Sequence, residues 1–143
     1  MYNFTNPQGN FSSPNHPSRY PSYLNCLWTI TAAPGHYIHL YFLYFNLEYG
    51  SSYCPYDYLE VSDPNYPASS IKLKRCGYQS PWCVTSTSNA LYVRLITDNI
   101  IQRSGFLASY TNHANPFSGN CTSLNATQSQ ATQGKENCYN CLK

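Results

Sequence analysis

Apolar and polar residues alternate along this chain in short runs with a period of two, the signature of half-buried β-strands. Ile38, Leu40 and Phe42 fall on one side of such a run, with Tyr37, His39 and Tyr41 on the other. Phe45 and Leu47 break the parity by one position, which predicts a bulge or a turn before Glu48. Leu59 and Val61 form a second inward pair, Leu91, Val93 and Leu95 a third set, and Phe106, Ala108 and Tyr110 a fourth. Turn-forming residues gather between the runs, at Pro14 to Pro21, Ala33 to Gly35, Asp63 to Pro67 and Ser80-Pro81. Strands of roughly five to eight residues bounded by such turns predict an all-β fold, an antiparallel sandwich of two sheets.

Composition narrows the picture. The chain has 143 residues, of which 10% are charged and 16% aromatic, a β-rich and loop-rich profile. Its formal net charge of +2 gives no reason to expect nucleic acid as a partner. The densest basic stretch, Lys72-Leu73-Lys74-Arg75, reads as a solvated strand face. No apolar run approaches the length of a membrane span. Met1-Tyr2-Asn3 lacks the charged start and apolar core of a signal peptide. Seven cysteines and four sequons, at Asn3, Asn10, Asn120 and Asn125, nevertheless point to an oxidising compartment and a secreted glycoprotein. The expectation is therefore a mature form or fragment whose export signal has been removed.

Only six residues are acidic: Glu48, Asp57, Glu60, Asp63, Asp98 and Glu136. Asp57 stands at the start of an apolar strand, where desolvating a carboxylate is costly unless it is paired or coordinated. If Glu48, Asp57 and Asp98 meet, half of the negative charge converges on one point and needs a cation, for which calcium is the usual extracellular candidate. The bland alternative is that Asp57 and Asp98 cap turns.

The blocks Gly9 to Pro17, Tyr20-Pro21, Cys26-Leu27-Trp28-Thr29-Ile30, Ile38 to Glu48, Cys54-Pro55-Tyr56-Asp57-Tyr58-Leu59-Glu60-Val61, Arg75-Cys76-Gly77, Thr85 to Asn89 leading into Leu91-Tyr92-Val93, Thr97-Asp98 and Ser104 to Tyr110 come in an order and spacing that resembles a CUB domain. The resemblance covers roughly Gly9 to Tyr110 and implies a compact two-sheet β-sandwich of jelly-roll type. It assigns 1–111 to a CUB domain and leaves 112–143 as a polar, glycosylated, cysteine-containing tail, irregular in structure. In calcium-binding members, residues at the positions of Glu48, Asp57 and Asp98 supply carboxylates, with a tyrosine, here Tyr20, bracing them. The polar pair that usually follows the last aspartate is replaced by Ile100 and Ile101. The shell would then lean on main-chain carbonyls, water or Asn99.

The resemblance also implies a Cys54–Cys76 disulfide. The upstream partner that the family gives Cys26 is absent, and Cys83 is an addition, so Cys26–Cys83 is the expected second bridge; a Cys76–Cys83 link is the alternative. In the tail, Cys121 would join Cys138 or Cys141, leaving one thiol over. The tail itself reads as a flexible extension, a small stapled knot or the start of a following module.

Enzymatic motifs are absent from the sequence, which holds neither His-Glu-x-x-His nor Gly-x-Ser-x-Gly. Two functional classes remain. One is a calcium-dependent recognition module for an extracellular protein that presents an exposed lysine or arginine. The other is a structural or adhesive subunit that self-associates through an outward row of Tyr41, Tyr44, Tyr92 and Ile96. Carbohydrate binding is a third, weaker option.

Overall fold

The computed structural model describes residues 1–64 and 71–114. Ten strands are found there: β1 (Tyr2–Phe4), β2 (Gln8–Ser12), β3 (Asn25–Thr31), β4 (Tyr37–Asn46), β5 (Tyr58–Ser62), β6 (Ile71–Arg75), β7 (Tyr78–Gln79), β8 (Trp82–Thr85), β9 (Ala90–Ile96) and β10 (Gly105–His113). One sheet runs β1-β3-β9-β5-β6 and the other β2-β10-β4-β7, with β8 also paired to β4. The expected two-sheet β-sandwich is the observed fold. One pairing departs from an all-antiparallel arrangement, because β1 lies parallel to β3 with Tyr2 beside Trp28. Strand β10 ends at His113, two residues beyond the expected domain boundary at 111.

The alternation predicts the core well. Ile38, Leu40, Phe42, Leu59, Val61, Leu91, Val93, Leu95, Phe106 and Ala108 are all fully buried between the sheets. The parity break in β4 is a bulge: Tyr44 pairs with Leu107 and Phe42 with Ala108, so Leu43 is the extra residue. That shift turns Phe45 back inward, and Leu47 is buried beyond it, leaving Glu48 at the sandwich end. Aromatic rings fill the middle of the core. Phe42 stacks on Trp82 at 4.1 Å, and Phe106 meets Trp28 and Phe11 edge to face at 5.4 and 5.7 Å.

Two expectations need correction. Cys26 does not pair with Cys83. Cys26 is a thiol buried in the core on β3. Cys83 is disulfide-bonded elsewhere. Strand parity gives the reason, since Trp82 and Val84 on either side of Cys83 point into the core and Cys83 therefore points away from it. The tyrosine row is also not one surface. Tyr41 and Tyr44 lie on β4 in the second sheet, whereas Tyr92 and Ile96 lie on β9 in the first, so the two pairs face away from each other across the sandwich.

Cys54 and Cys76 do form a disulfide, with Cα atoms 5.6 Å apart. Of the sequon residues, Asn3 is exposed on β1 and accepts a hydrogen bond from the Thr29 hydroxyl, and Asn10 lies on β2 opposite Ser109. Asn120, Asn125, Cys121, Cys138 and Cys141 lie outside the described residues.

His39, placed by alternation on the outer face, is only 2% exposed, and its Nδ1 lies 3.0 Å from the Thr85 hydroxyl on β8. Burial, with a lesser push from the charge of His113, lowers its pKa to about 4.

Two predictions follow from these contacts. The disulfide closes a loop of 22 residues, so replacing both Cys54 and Cys76 by alanine should cost roughly 3 kcal/mol in denaturant titration. The neutral His39 ring should make folding acid-sensitive, because the unfolded chain takes up a proton that the folded one refuses. Its contribution is full above the ordinary histidine pKa near 6.5, declines as pH falls, and stops declining near pH 4. His39→Gln should flatten that slope by an amount on the order of 1–3 kcal/mol, read by unfolding at several pH values.

Candidate metal centre

Three loops meet at one end of the sandwich, each continuing a core strand. Glu48 follows β4, Asp57 precedes β5 and Asp98 follows β9. One carboxylate oxygen from each lies within 4.8 Å of the other two. Glu48 is 4% exposed and Asp57 1%, so two of the three like charges are almost fully withdrawn from water.

Tyr20 and main-chain groups fix the arrangement. The Tyr20 hydroxyl donates to Asp57 Oδ2 at 2.7 Å and accepts the Glu48 N–H at 3.2 Å. Asp57 Oδ1 accepts the Asp98 N–H at 2.8 Å, and Asp98 Oδ1 accepts the Ile100 N–H at 3.1 Å. Thr97 ties the last loop to the Tyr20 turn: its hydroxyl accepts the Leu24 N–H at 2.7 Å and donates to the Pro21 carbonyl at 3.0 Å. Asn99 is exposed on the turn between Asp98 and Ile100.

The turn-capping alternative fits Asp98, which accepts the N–H of Ile100 two residues on, whereas Asp57 accepts an N–H from a loop distant in sequence. Glu48 has no comparable task. Its Oε2 is buried with no hydrogen-bond partner, an arrangement that costs free energy unless something positive binds there. Burial is the main cause of the raised pKa of Glu48, and the charges of Asp57 and Asp98 raise it further; Arg103 offsets them in part. Asp57 is also raised by burial, against the lowering effect of the hydrogen bonds from Asp98 and Tyr20. The buried Tyr20 hydroxyl stays protonated through a strongly raised pKa.

A fourth carboxylate provides the contrast. Asp63 is 1% exposed, yet its Oδ2 accepts both the N–H and the hydroxyl of Thr87, at 2.6 and 2.8 Å. Those bonds mark it as a structural brace. Sequence reasoning missed this brace, the Thr97 tie and the nearby charge of Arg103; only the Thr-Asp pair of 97 and 98 gave a visible signal.

A β-sandwich carrying a carboxylate cluster on loops at one end defines a class of module, and comparison with known proteins identifies it. The CUB domain family matches residues 1–110, and the chain belongs to that family. It is 41% identical over 105 residues to human Tolloid-like protein 1, covering 73% of this chain and 10% of that protein. It is also 41% identical over 107 residues to human cubilin, covering 74% of this chain and 3% of the relative. The chain therefore spans a tenth or less of these relatives.

Among solved structures, the extracellular region of zebrafish Gpr126/Adgrg6 superposes with a TM-score of 0.72 at 34% identity, over 79% of this chain and 14% of the other. The MASP-1 CUB2 domain bound to Ca2+ superposes with a TM-score of 0.69 at 28% identity, over 77% of this chain and 96% of the other.

The geometry generates an experiment on Glu48 alone. Without divalent ions at neutral pH, Glu48→Gln should melt higher than the parent, because it removes a buried, repelled charge at nearly constant shape. With calcium present the order should reverse. Calorimetry in chelator and in calcium checks both arms, and a variant less stable in both would show that Glu48 is satisfied by the protein itself.

Proposed function

We propose that this chain is a secreted CUB recognition module ordered by calcium, which uses its acidic end to capture a lysine or arginine of an extracellular protein partner. The family reading supports a binding role, since CUB domains serve as interaction modules in larger proteins. The observation that carries the calcium reading is the buried, unpartnered Oε2 of Glu48, on a carboxylate that clusters with those of Asp57 and Asp98. A structural neighbour that binds Ca2+ supports the same choice of ion.

Calcium takes six to eight oxygens. Glu48, Asp57 and Asp98 would provide the negative ones, with carbonyls of the Asn99 to Ile101 turn and water completing the shell. The bound ion would supply the positive charge that Arg103 provides only in part. Tyr20 would keep Asp57 oriented in both the loaded and the empty state, and a remaining carboxylate lone pair would face outward for the partner's ammonium or guanidinium.

Calorimetric titration should give a calcium Kd of about 0.1–1 mM, the range of extracellular modules. Calcium at about ten times the Kd should stabilise the fold by about 1.4 kcal/mol, seen as a melting temperature several degrees higher. Asp98→Ala should abolish that increment. An identical melting temperature in chelator and in calcium for the parent protein would refute the proposal.

A further inference from the structure

The two sheets differ on their outer faces. In the first sheet the central strand β9 turns Tyr92 outward, and that ring is 38% exposed. In the second sheet the central strand β4 turns His39 outward, between Thr85 on β8 and Thr111 on β10, and His39 is 2% exposed. Ser109, an outward residue of β10 beside Tyr41, is also 2% exposed. Neighbours in the same sheet shield the flanks of an outward side chain but not its far end, so burial there requires a covering layer. Among the described residues none packs over this face, since they form two layers only. Residues 65–70 join β5 to β6 in the other sheet. The cover is also local, because Tyr78 on β7 of the same sheet is 70% exposed.

Cys83 lies on the same face. It is disulfide-bonded, sits on β8 opposite Tyr41 and points away from the core. Cys54 and Cys76 are bonded to each other and Cys26 is a thiol, so of the seven cysteines only Cys121, Cys138 and Cys141 remain within the chain to hold it. The path is short. Strand β10 ends at His113, opposite Tyr37 on β4. From there to Cys83 is roughly 17 Å across the sheet, at about 3.4 Å per residue and about 4.8 Å per strand. Cys121 stands eight residues beyond His113, a length that spans at most about 28 Å. His39 and Thr85 lie between the two points, so the burial falls on the path itself.

We infer that residues 115–143 are the occupant: a disulfide from Cys83 to one of the three tail cysteines straps this segment over the outer face of β4, β8 and β10. Its composition fits. A face presenting His39, Thr85, Ser109 and Thr111 needs cover that can hydrogen-bond, and the segment is rich in Asn, Ser, Thr and Gln. The strap has two consequences. The part of the sheet that bears Tyr41 is closed to a second copy of the chain, so partners meet the module elsewhere. The two tail cysteines left over pair with each other, and the buried Cys26 is then the one thiol, which leaves no exposed thiol for a covalent link between chains. None of this depends on the calcium site.

Peptide mapping of the full, non-reduced chain tests the bond. Chymotrypsin with trypsin separates Cys76 from Cys83 after Tyr78 or Trp82, and the three tail cysteines from one another at Leu124, Lys135 and Tyr139. Cys83 should be recovered linked to one tail cysteine, and the other two to each other. A Cys83–Cys83 link between two chains would instead make a second copy the occupant. A bond to Cys26 or Cys76, or an alkylated Cys83, would equally overturn the strap. Diethyl pyrocarbonate at neutral pH tests the cover, histidine by histidine. In the full chain with Cys83 and its mapped partner both replaced by serine, His39 should be modified about tenfold faster than in the parent. His16, packed against Tyr44 at the far end of β4, should keep its rate and so report an intact fold. Equal His39 reactivity in the two proteins would show that the sheet shields this residue unaided and would overturn the docking. The mapping decides the bond even where the variant does not fold.

Discussion

The buried carboxylate of Asp57 is the point on which the functional end of this molecule depends. It sits at the start of β5 with almost no exposure, and each of its oxygens receives a donor from a different loop, the Tyr20 hydroxyl on one side and the Asp98 N–H on the other. Through Tyr20 it also reaches the Glu48 backbone. Two segments far from it in sequence are thereby fixed within hydrogen-bonding distance of one group, and a third is held at one remove through Tyr20. Charge-assisted bonds of this kind are the strong ones. Their cost is that a charge is held out of water, which is why its pKa is raised despite two good donors.

The sandwich and its acidic end obey different physics. Between the sheets, stability comes mainly from close-packed rings and aliphatic chains, as in the Phe42–Trp82 stack, where the indole N–H is the one polar atom and is buried without a hydrogen-bond partner. At the end, the polar groups outnumber their partners by at least one oxygen, that of Glu48. Asp63, also buried, shows that this fold can give a carboxylate oxygen two donors of its own. The two acids differ more clearly in their partners than in their exposure, because both are buried and only Glu48 keeps an oxygen without a donor.

How much of this the sequence made legible follows from the range of each interaction. Strand parity is local, so the inward sets at Ile38, Leu59, Leu91 and Phe106, and the bulge near Leu43, could be read without coordinates. The convergence of Glu48, Asp57 and Asp98 was legible because scarce acids fell inside ordered motif blocks. Pairings between distant segments were not. Cys26 shares its side of β3 with Trp28 and Ile30, and Cys83 stands between Trp82 and Val84, so local parity was available for both and the expected bridge ran against it. The supposed row of tyrosines failed because residues with equal outward parity can belong to different sheets. The orphaned Glu48 oxygen depends on three loops at once, beyond any reading of spacing.

A rim of this design separates folding from recognition. Losing the aromatic contacts around Phe42 would damage the whole sandwich, whereas the exposed side chains of Tyr23, Tyr53 and Ile100 belong to loops already fixed by Asp57, Thr97 and the Cys54–Cys76 bridge. Side chains there can change without disturbing the scaffold, because their backbone is held by bonds that do not involve them. The exposed residues are thus free to vary, while the carboxylates beneath them are constrained by the hydrogen bonds that hold the loops together. Strain at Tyr23 and Ile101 is tolerable only under such over-determination. The same bonds that keep Asp57 buried allow the surface above it to be shaped for binding.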